Sequence, residues 1–175
     1  MQPGSQSLQN SELSTQHICG ILANLLLKNG WMLTTAESCT GGLIAAACTE
    51  LAGSSAWFER GFVTYANAAK NEMLGVHMAL IDAYGAVSEP VAHAMVMGAL
   101  AHAHAQVAVA VTGVAGPSGG SADKPVGTVW FGFALGHRVT TEVRHFRGAR
   151  AAVRQATVRH ALERLVELIR AKEHI

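Results

Sequence analysis

The chain has 175 residues, half of them hydrophobic and 14% charged, with a formal net charge of +1 when its nine histidines are neutral. That length supports one domain with a full core, and that composition excludes extended disorder. The near-neutral balance removes the electrostatic case for a nucleic-acid partner or an anionic membrane surface, and no apolar run reaches transmembrane length.

The opening MQPGSQSLQNSELS is polar, with Glu12 its only charged side chain, and lacks the basic-then-apolar form of a signal peptide. It reads as a flexible tail over residues 1–14, ahead of one domain over 15–175. Cysteines 19, 39 and 48 are odd in number and lack CxxC spacing. Disulfides are therefore not expected, and a reducing cytoplasm is the expected compartment.

Ile18, Ile21, Leu22, Leu25 and Leu26 recur at helical spacing, and Gly30 ends that helix. WMLTT then reads as a strand, followed by a turn and a helix through about Leu51, broken at Gly53-Ser54-Ser55. GFVTY, 61–65, is the next strand, with Asn67 expected to cap a short helix ending near Gly75. After the turn at Tyr84-Gly85, Ser88 is expected as a cap and Pro90 in the first turn of a long apolar helix. VAVAVT, 107–112, is too apolar for a strand with one wet face and belongs inside a covered sheet. A glycine-rich loop follows, then GTVWFGFAL and RVTTEVRHF as a hairpin around Gly136-His137, and a final helix over about 149–172. Strands alternating with helices, plus a hairpin, predict an α/β fold: a single three-layer α/β/α domain with a mixed β-sheet.

In such a sheet the loops leaving the carboxyl ends of the strands share one edge, where ligands bind. TTAESCTGGLIAAA, residues 34–47, places Ser38, Cys39, Thr40, Gly41 and Gly42 at one of them. Free N–H groups of Thr40, Gly41 and Gly42 at a helix start suit a phosphate or an oxyanion, and the same residues also suit an ordinary capping turn. The loop with Gly113, Gly116, Gly119 and Gly120 offers further backbone donors, with Lys124 as a positive charge for a phosphate. Neither loop spells a P-loop, GxGxxG or GxSxG.

A serine needs a base, and the histidines are badly placed for it. His102 and His104 are about 200° apart around a helix, and no HxxxH or Cys/His cluster exists to hold zinc. Lys70 falls in the first turn of the helix after GFVTY, where the positive end of the dipole disfavours an ammonium. That placement pushes it toward the neutral form a general base requires, with Tyr65 near enough to hold it or relay a proton. Cys39 is a rival nucleophile, and the residues alone leave the choice between it and Ser38 open. Only one of the two is expected to face the cleft.

Taken together, TAESCTGGLIAAA, GSSAWFERGFVTYANAAKNEMLGV, GAVSEPVA, VAVTGVAGP and KPVGTVWFGFA resemble the CinA C-terminal domain family, the nicotinamide mononucleotide deamidases, from about residue 17 to 170. The resemblance implies hydrolysis of the carboxamide of nicotinamide mononucleotide to nicotinate mononucleotide and ammonia, with no metal and no cofactor. It implies Ser38 as nucleophile and Lys70 as its base partner, with Tyr65 and Thr112 in the site. Backbone N–H groups of 40–42 would hold the oxyanion, helped by Thr112. Loop 113–120 would hold ribose or phosphate, with Arg150 as phosphate charge and Cys39 turned elsewhere. Family members have TYSNEAK where this chain has Ala66 and Ala68, which removes a hydroxyl and a carboxylate from that turn. Full-length members carry a further N-terminal domain that nothing here matches, so a stand-alone deamidase is expected. The family is oligomeric and VAHAMVMGALAHA is apolar beyond one face, so a homodimer or larger assembly is expected too.

Overall fold

The computed structural model describes residues 13–173, so most of the expected tail lies outside it. Helix α1 (Thr15–Asn29) begins at Ser14, whose hydroxyl accepts from the His17 N–H at 3.1 Å. It closes on Gly30, with the N–H groups of Gly30 and Trp31 returned to Leu27 and Leu26. Strand β1 (Leu33–Glu37) leads through a turn to α2 (Leu43–Thr49) and a single 3₁₀ turn at Ser54–Ala56. Strand β2 (Phe58–Val63), α3 (Asn67–Leu74), α4 (Met78–Tyr84) and α5 (Glu89–Ala101) follow. Strands β3 (Val107–Gly113), β4 (Thr128–Leu135) and β5 (Arg138–His145) and helix α6 (Arg150–Glu173) complete the chain.

The sheet order is β2-β1-β3-β4-β5. Strand β1 runs parallel to both β2 and β3, and the β3–β4 and β4–β5 pairs are antiparallel. This is the mixed α/β sheet expected. Helices α1, α2 and α6 cover one face, where Val107, Val109 and Val111 of β3 join Leu22, Leu26, Leu162 and Leu165. The other face carries α3, α4 and α5, and there β3 presents Ala108 and Ala110 to Met95 and Val96. One central strand thus sends large side chains to one layer and small ones to the other. That is why its sequence shows no polar alternation.

Differences from the sequence reading have local causes. Strand β1 starts two residues later than expected. β2 starts earlier and includes Glu59 and Arg60, charges tolerated because β2 is an edge strand. Asn67 is the first helical residue of α3, and Ala66 occupies the cap position with no side-chain bond. Ser88 does stand at the N-cap of α5, but its hydroxyl donates backward to the Gly85 oxygen at 2.8 Å rather than capping. Helix α4, seven residues long without a side-chain cap, escaped the sequence reading. Much of the apolar surplus of α5 is met internally, since it lies against β1, β3 and β4 and beneath α3 and α4, while Met97 stays exposed.

Candidate active site

Strand β1 ends at Glu37, and both neighbouring strands hold the chain there. The Ser38 N–H donates to the Val111 oxygen at 3.1 Å, and the Glu37 oxygen accepts from the Thr64 N–H at 2.9 Å. Ser38 is thereby fixed between the ends of β2 and β3 at the carboxyl edge. The chain then turns, with the Gly41 N–H donating to the Ser38 oxygen at 3.0 Å. Gly41 and Gly42 take φ values of 58° and 103°, a left-handed path that favours glycine and delivers the chain into α2.

The first turn of α2 is already occupied by an anion from the protein itself. The Glu37 carboxylate, 1% exposed, accepts from Thr40 Oγ1 at 2.6 Å, the Ile44 N–H at 2.8 Å and the Ala45 N–H at 3.0 Å. Three donors and the positive helix end offset the cost of burying that charge. The expectation of outward-facing donors at 40–42 is corrected at Gly41, whose N–H closes the turn, while Glu37 takes the N–H groups of Ile44 and Ala45 at the helix start. Among the described residues the N–H groups of Cys39, Thr40 and Gly42 donate to no other residue.

Lys70 reaches this turn from α3. It is 1% exposed, and its Nζ lies 3.0 Å from Ser38 Oγ, 2.9 Å from the Thr64 oxygen and 3.3 Å from the Tyr65 oxygen. Among the described residues no carboxylate is within ion-pair distance of it. Burial pushes its pKa below the ordinary lysine value, although the Cys39 sulfur opposes the shift. Three oxygens surround the amine: an ammonium donates to all three, and the neutral form can keep two hydrogens on the carbonyls and turn its lone pair to the serine hydroxyl.

Cys39 contributes to the wall of the same cleft as Ser38, and its side chain is packed into the core cluster beside it. Burial pushes its thiol up to about 12, so at neutral pH it is protonated. Thr112 also lines the cleft, but its hydroxyl donates to the Ala86 oxygen at 2.8 Å and pins the loop before α5. That bond corrects its expected role as a free oxyanion donor. At Gly113 a Cβ would fall 2.7 Å from Val129 Cγ2 and 3.2 Å from Cys39 Sγ, so the close fit of cleft floor against turn requires glycine.

The outer wall joins two distant segments. Arg150, at the start of α6, donates to the Gly116 oxygen at 2.9 Å and to the Tyr65 hydroxyl at 3.0 Å. Tyr65 is 61% exposed, and Asn67 and Val87 complete the rim. The cleft so bounded has a volume of about 240 Å³. Gly119 and Gly120 do not line it; they pack against Val114 and Val126. Lys124 is turned away as well, its ammonium donating to the Tyr84 oxygen at 2.7 Å.

Residues 15–169 match the model of the CinA C-terminal domain. The chain belongs to the CinA C-terminal domain family. It is 63% identical over 135 residues to the nicotinamide-nucleotide amidohydrolase PncC of Enterobacter agglomerans, covering 76% of this chain and 82% of that one. The corresponding Escherichia coli K12 protein is 54% identical over 142 residues, covering 80% and 86%. Among solved structures, the competence/damage inducible protein CihA of Agrobacterium tumefaciens superposes with a TM-score of 0.86 at 47% identity, covering 92% of this chain and 99% of that one. A CinA superfamily protein of Enterobacter cloacae gives 0.91 at 30% identity, covering 96% and 99%.

Two further residues of this CinA C-terminal domain shape the site and were not singled out from sequence. Glu37 has a visible signal, an acidic residue ahead of a helix start, but seven residues separate it from Ile44, outside capping-box spacing. Arg154 donates to the oxygens of Cys39 and Thr40 at 3.1 and 3.2 Å, a contact across 115 positions that no local pattern announces. Among the described residues no group of three or more His, Cys, Asp or Glu side chains is placed to hold a metal ion, and no helix is long and apolar enough to cross a membrane.

Proposed function

We propose that this protein is a nicotinamide-nucleotide amidase, hydrolysing nicotinamide mononucleotide to nicotinate mononucleotide and ammonia through a Ser38–Lys70 dyad. The observation that carries the mechanism is the 3.0 Å approach to Ser38 of a buried Lys70 with no counterion among the described residues. The names of the PncC relatives support the substrate.

The neutral Lys70 amine takes the hydroxyl proton as Ser38 Oγ bonds to the amide carbon, and the carbonyl electron pair moves to oxygen. The N–H groups of Cys39 and Thr40 receive that oxyanion. The Lys70 ammonium, held by the Thr64 and Tyr65 oxygens, returns its proton to the departing nitrogen. The C–N bond breaks, and ammonia leaves an ester on Ser38. Water then attacks the ester with Lys70 again as base, and collapse restores the Ser38 hydroxyl and frees the carboxylate product. Small walls at Ala86, Thr112, Gly113 and Ala115 suit a flat pyridine ring, and Arg150 with Tyr65 and Asn67 lies where ribose and phosphate extend.

Ammonia release from nicotinamide mononucleotide in the presence of a chelator tests the reading. Activity lost in Ser38→Ala and kept in Cys39→Ala supports it. Tight binding without turnover would replace it with a non-catalytic nucleotide-binding role, and turnover of free nicotinamide alone would change the substrate. The reading includes a cytoplasmic role in pyridine nucleotide recycling and a homodimeric or larger assembly, which light scattering checks.

A further inference from the structure

We propose that Arg154, which lies outside the cleft, is a positioning residue that orients and polarises the Thr40 N–H, a main-chain donor for the oxyanion, by holding the Cys39 oxygen at the opposite end of its peptide unit. The inference rests on the proposed amidase chemistry of Ser38, and deepens it.

The turn 38–41 is one short helical turn, with the Gly41 N–H bonded back to the Ser38 oxygen and no positive φ before Gly41. In such a turn the carbonyls point one way and the N–H groups the other. Ser38, with its hydroxyl on Lys70, lines the cleft. The oxygens of Cys39 and Thr40 point instead to the guanidinium, Nε on Cys39 at 3.1 Å and Nη2 on Thr40 at 3.2 Å. A peptide unit is planar with C=O and N–H antiparallel, so a guanidinium on the Cys39 oxygen fixes the direction of the Thr40 N–H. The Cys39 N–H is set in the same way by the Ser38 oxygen, which Gly41 holds.

Charge adds to orientation. A carbonyl accepting a charge-assisted bond polarises its peptide, and the N–H at the far side becomes a better donor. A cation at the carbonyl end also stabilises the turn's own dipole. Glu37 cannot substitute for Arg154, because its carboxylate holds Thr40 Oγ1 and the N–H groups of Ile44 and Ala45. The guanidinium packs against Gly41, whose Cβ position would lie in ordinary contact 3.5 Å from Arg154 Nη2. The Thr40 N–H, the arginine on its peptide's carbonyl and the Gly41 N–H on the Ser38 oxygen are thus parts of one device.

The test uses Arg154→Gln and Arg154→Lys in the full chain. Two readouts are followed: ammonia release from nicotinamide mononucleotide, and acylation of Ser38 by p-nitrophenyl acetate, read as mass added to the serine peptide. The glutamine variant is expected to lose about 10- to 100-fold in kcat, less than direct removal of an oxyanion donor, with KM within about 3-fold. Lysine, which keeps the charge but not the fork, falls between glutamine and wild type. The acylation rates follow the same order. Wild-type kcat and acylation in the glutamine variant would overturn the inference, as would a loss confined to KM or one that merely tracks the melting temperature. If the glutamine variant does not fold, the lysine variant decides by the same criteria. A wild type that is acylated at Ser38 but releases no ammonia overturns the substrate reading instead, and the acylation order alone then decides the role of Arg154. A wild type inert in both assays overturns both.

Discussion

Ser38 and Lys70 stand 32 positions apart in the chain, yet their Oγ and Nζ atoms lie 3.0 Å apart in a buried contact. Two carbonyls just after β2 hold the amine in place, and among the described residues the serine is the only hydroxyl it bonds. Lys70→Met, of similar length but with no base, is expected to lower kcat by about 10³-fold or more, while the protein still folds. Lys70→Arg is expected to fail equally, because a guanidinium stays charged at any working pH. Ammonia release and a thermal melt check both variants.

The lowered pKa of Lys70 also links stability to pH. Burial disfavours the charged form in the folded state, so between the folded pKa and the ordinary value of 10.5 the unfolded chain binds more protons than the native one. Stability therefore rises with pH through that window. Below the folded pKa, Lys70 costs stability fully; as pH rises through the window, the cost is relieved. Denaturation of wild type and Lys70→Met at increasing pH should show the wild type gaining relative to the variant. A constant difference would contradict a lysine with a lowered pKa. The activity profile should show the same group as an acid limb lying below 10.5.

At Cys39 the prediction is a negative one. A thiol raised to about 12 is protonated at neutral pH and buried against Gly113. Iodoacetamide at pH 7 should therefore leave activity intact over times that modify an ordinary exposed cysteine. Cys39→Ala should keep kcat within about 10-fold, since only packing around the turn is lost. Rapid inactivation with mass added at Cys39 would restore the thiol as a candidate nucleophile.

How much of this could be read from the chain follows from the range of each interaction. Helix stops at Gly30 and Gly75, the covered strand 107–112 and the closing hairpin are local patterns, and they were legible. Ser38, Lys70, Tyr65, Thr112 and Arg150 do meet in one cleft, as the rule of a shared carboxyl edge anticipates. What stayed hidden was hydrogen-bond allocation. Whether the Thr112 hydroxyl is free depends on Ala86, whether the start of α2 is free depends on Glu37, and whether Lys124 faces the site depends on Tyr84. Those partners are fixed only after the loops pack, and the fold's period-two and period-3.6 patterns carry no trace of them.

Glu37 gives a stability prediction separate from catalysis at the dyad. Glu37→Gln keeps one oxygen acceptor but sets an NH₂ against donors already present at the start of α2. An unsatisfied buried donor and the lost charge at the helix end together should cost about 1–3 kcal/mol. Urea denaturation measures it, and the slope with denaturant should stay unchanged if only the native state is affected. A smaller loss of activity should accompany it, because Thr40, one of the oxyanion donors, loses its hold on the carboxylate.

Arg150 separates substrate binding from chemistry. It sits at the outer rim, away from Lys70, and uses two of its donors on Gly116 and Tyr65. The remaining donors are free to meet a phosphate, and a hydrogen bond to a charged group is worth about 1.5–3 kcal/mol. Arg150→Ala should therefore raise KM for nicotinamide mononucleotide by about 10- to 100-fold, and alter kcat less. Tyr65→Phe, which removes only the hydroxyl that steadies the guanidinium, should raise KM in the same direction by a smaller factor. The decisive comparison is nicotinamide riboside, which lacks the phosphate. If Arg150 binds phosphate, its removal should leave the riboside's kcat/KM nearly unchanged. An equal loss for both substrates would assign Arg150 to holding the loop at Gly116 and Tyr65 in place, because a disordered wall harms every substrate alike.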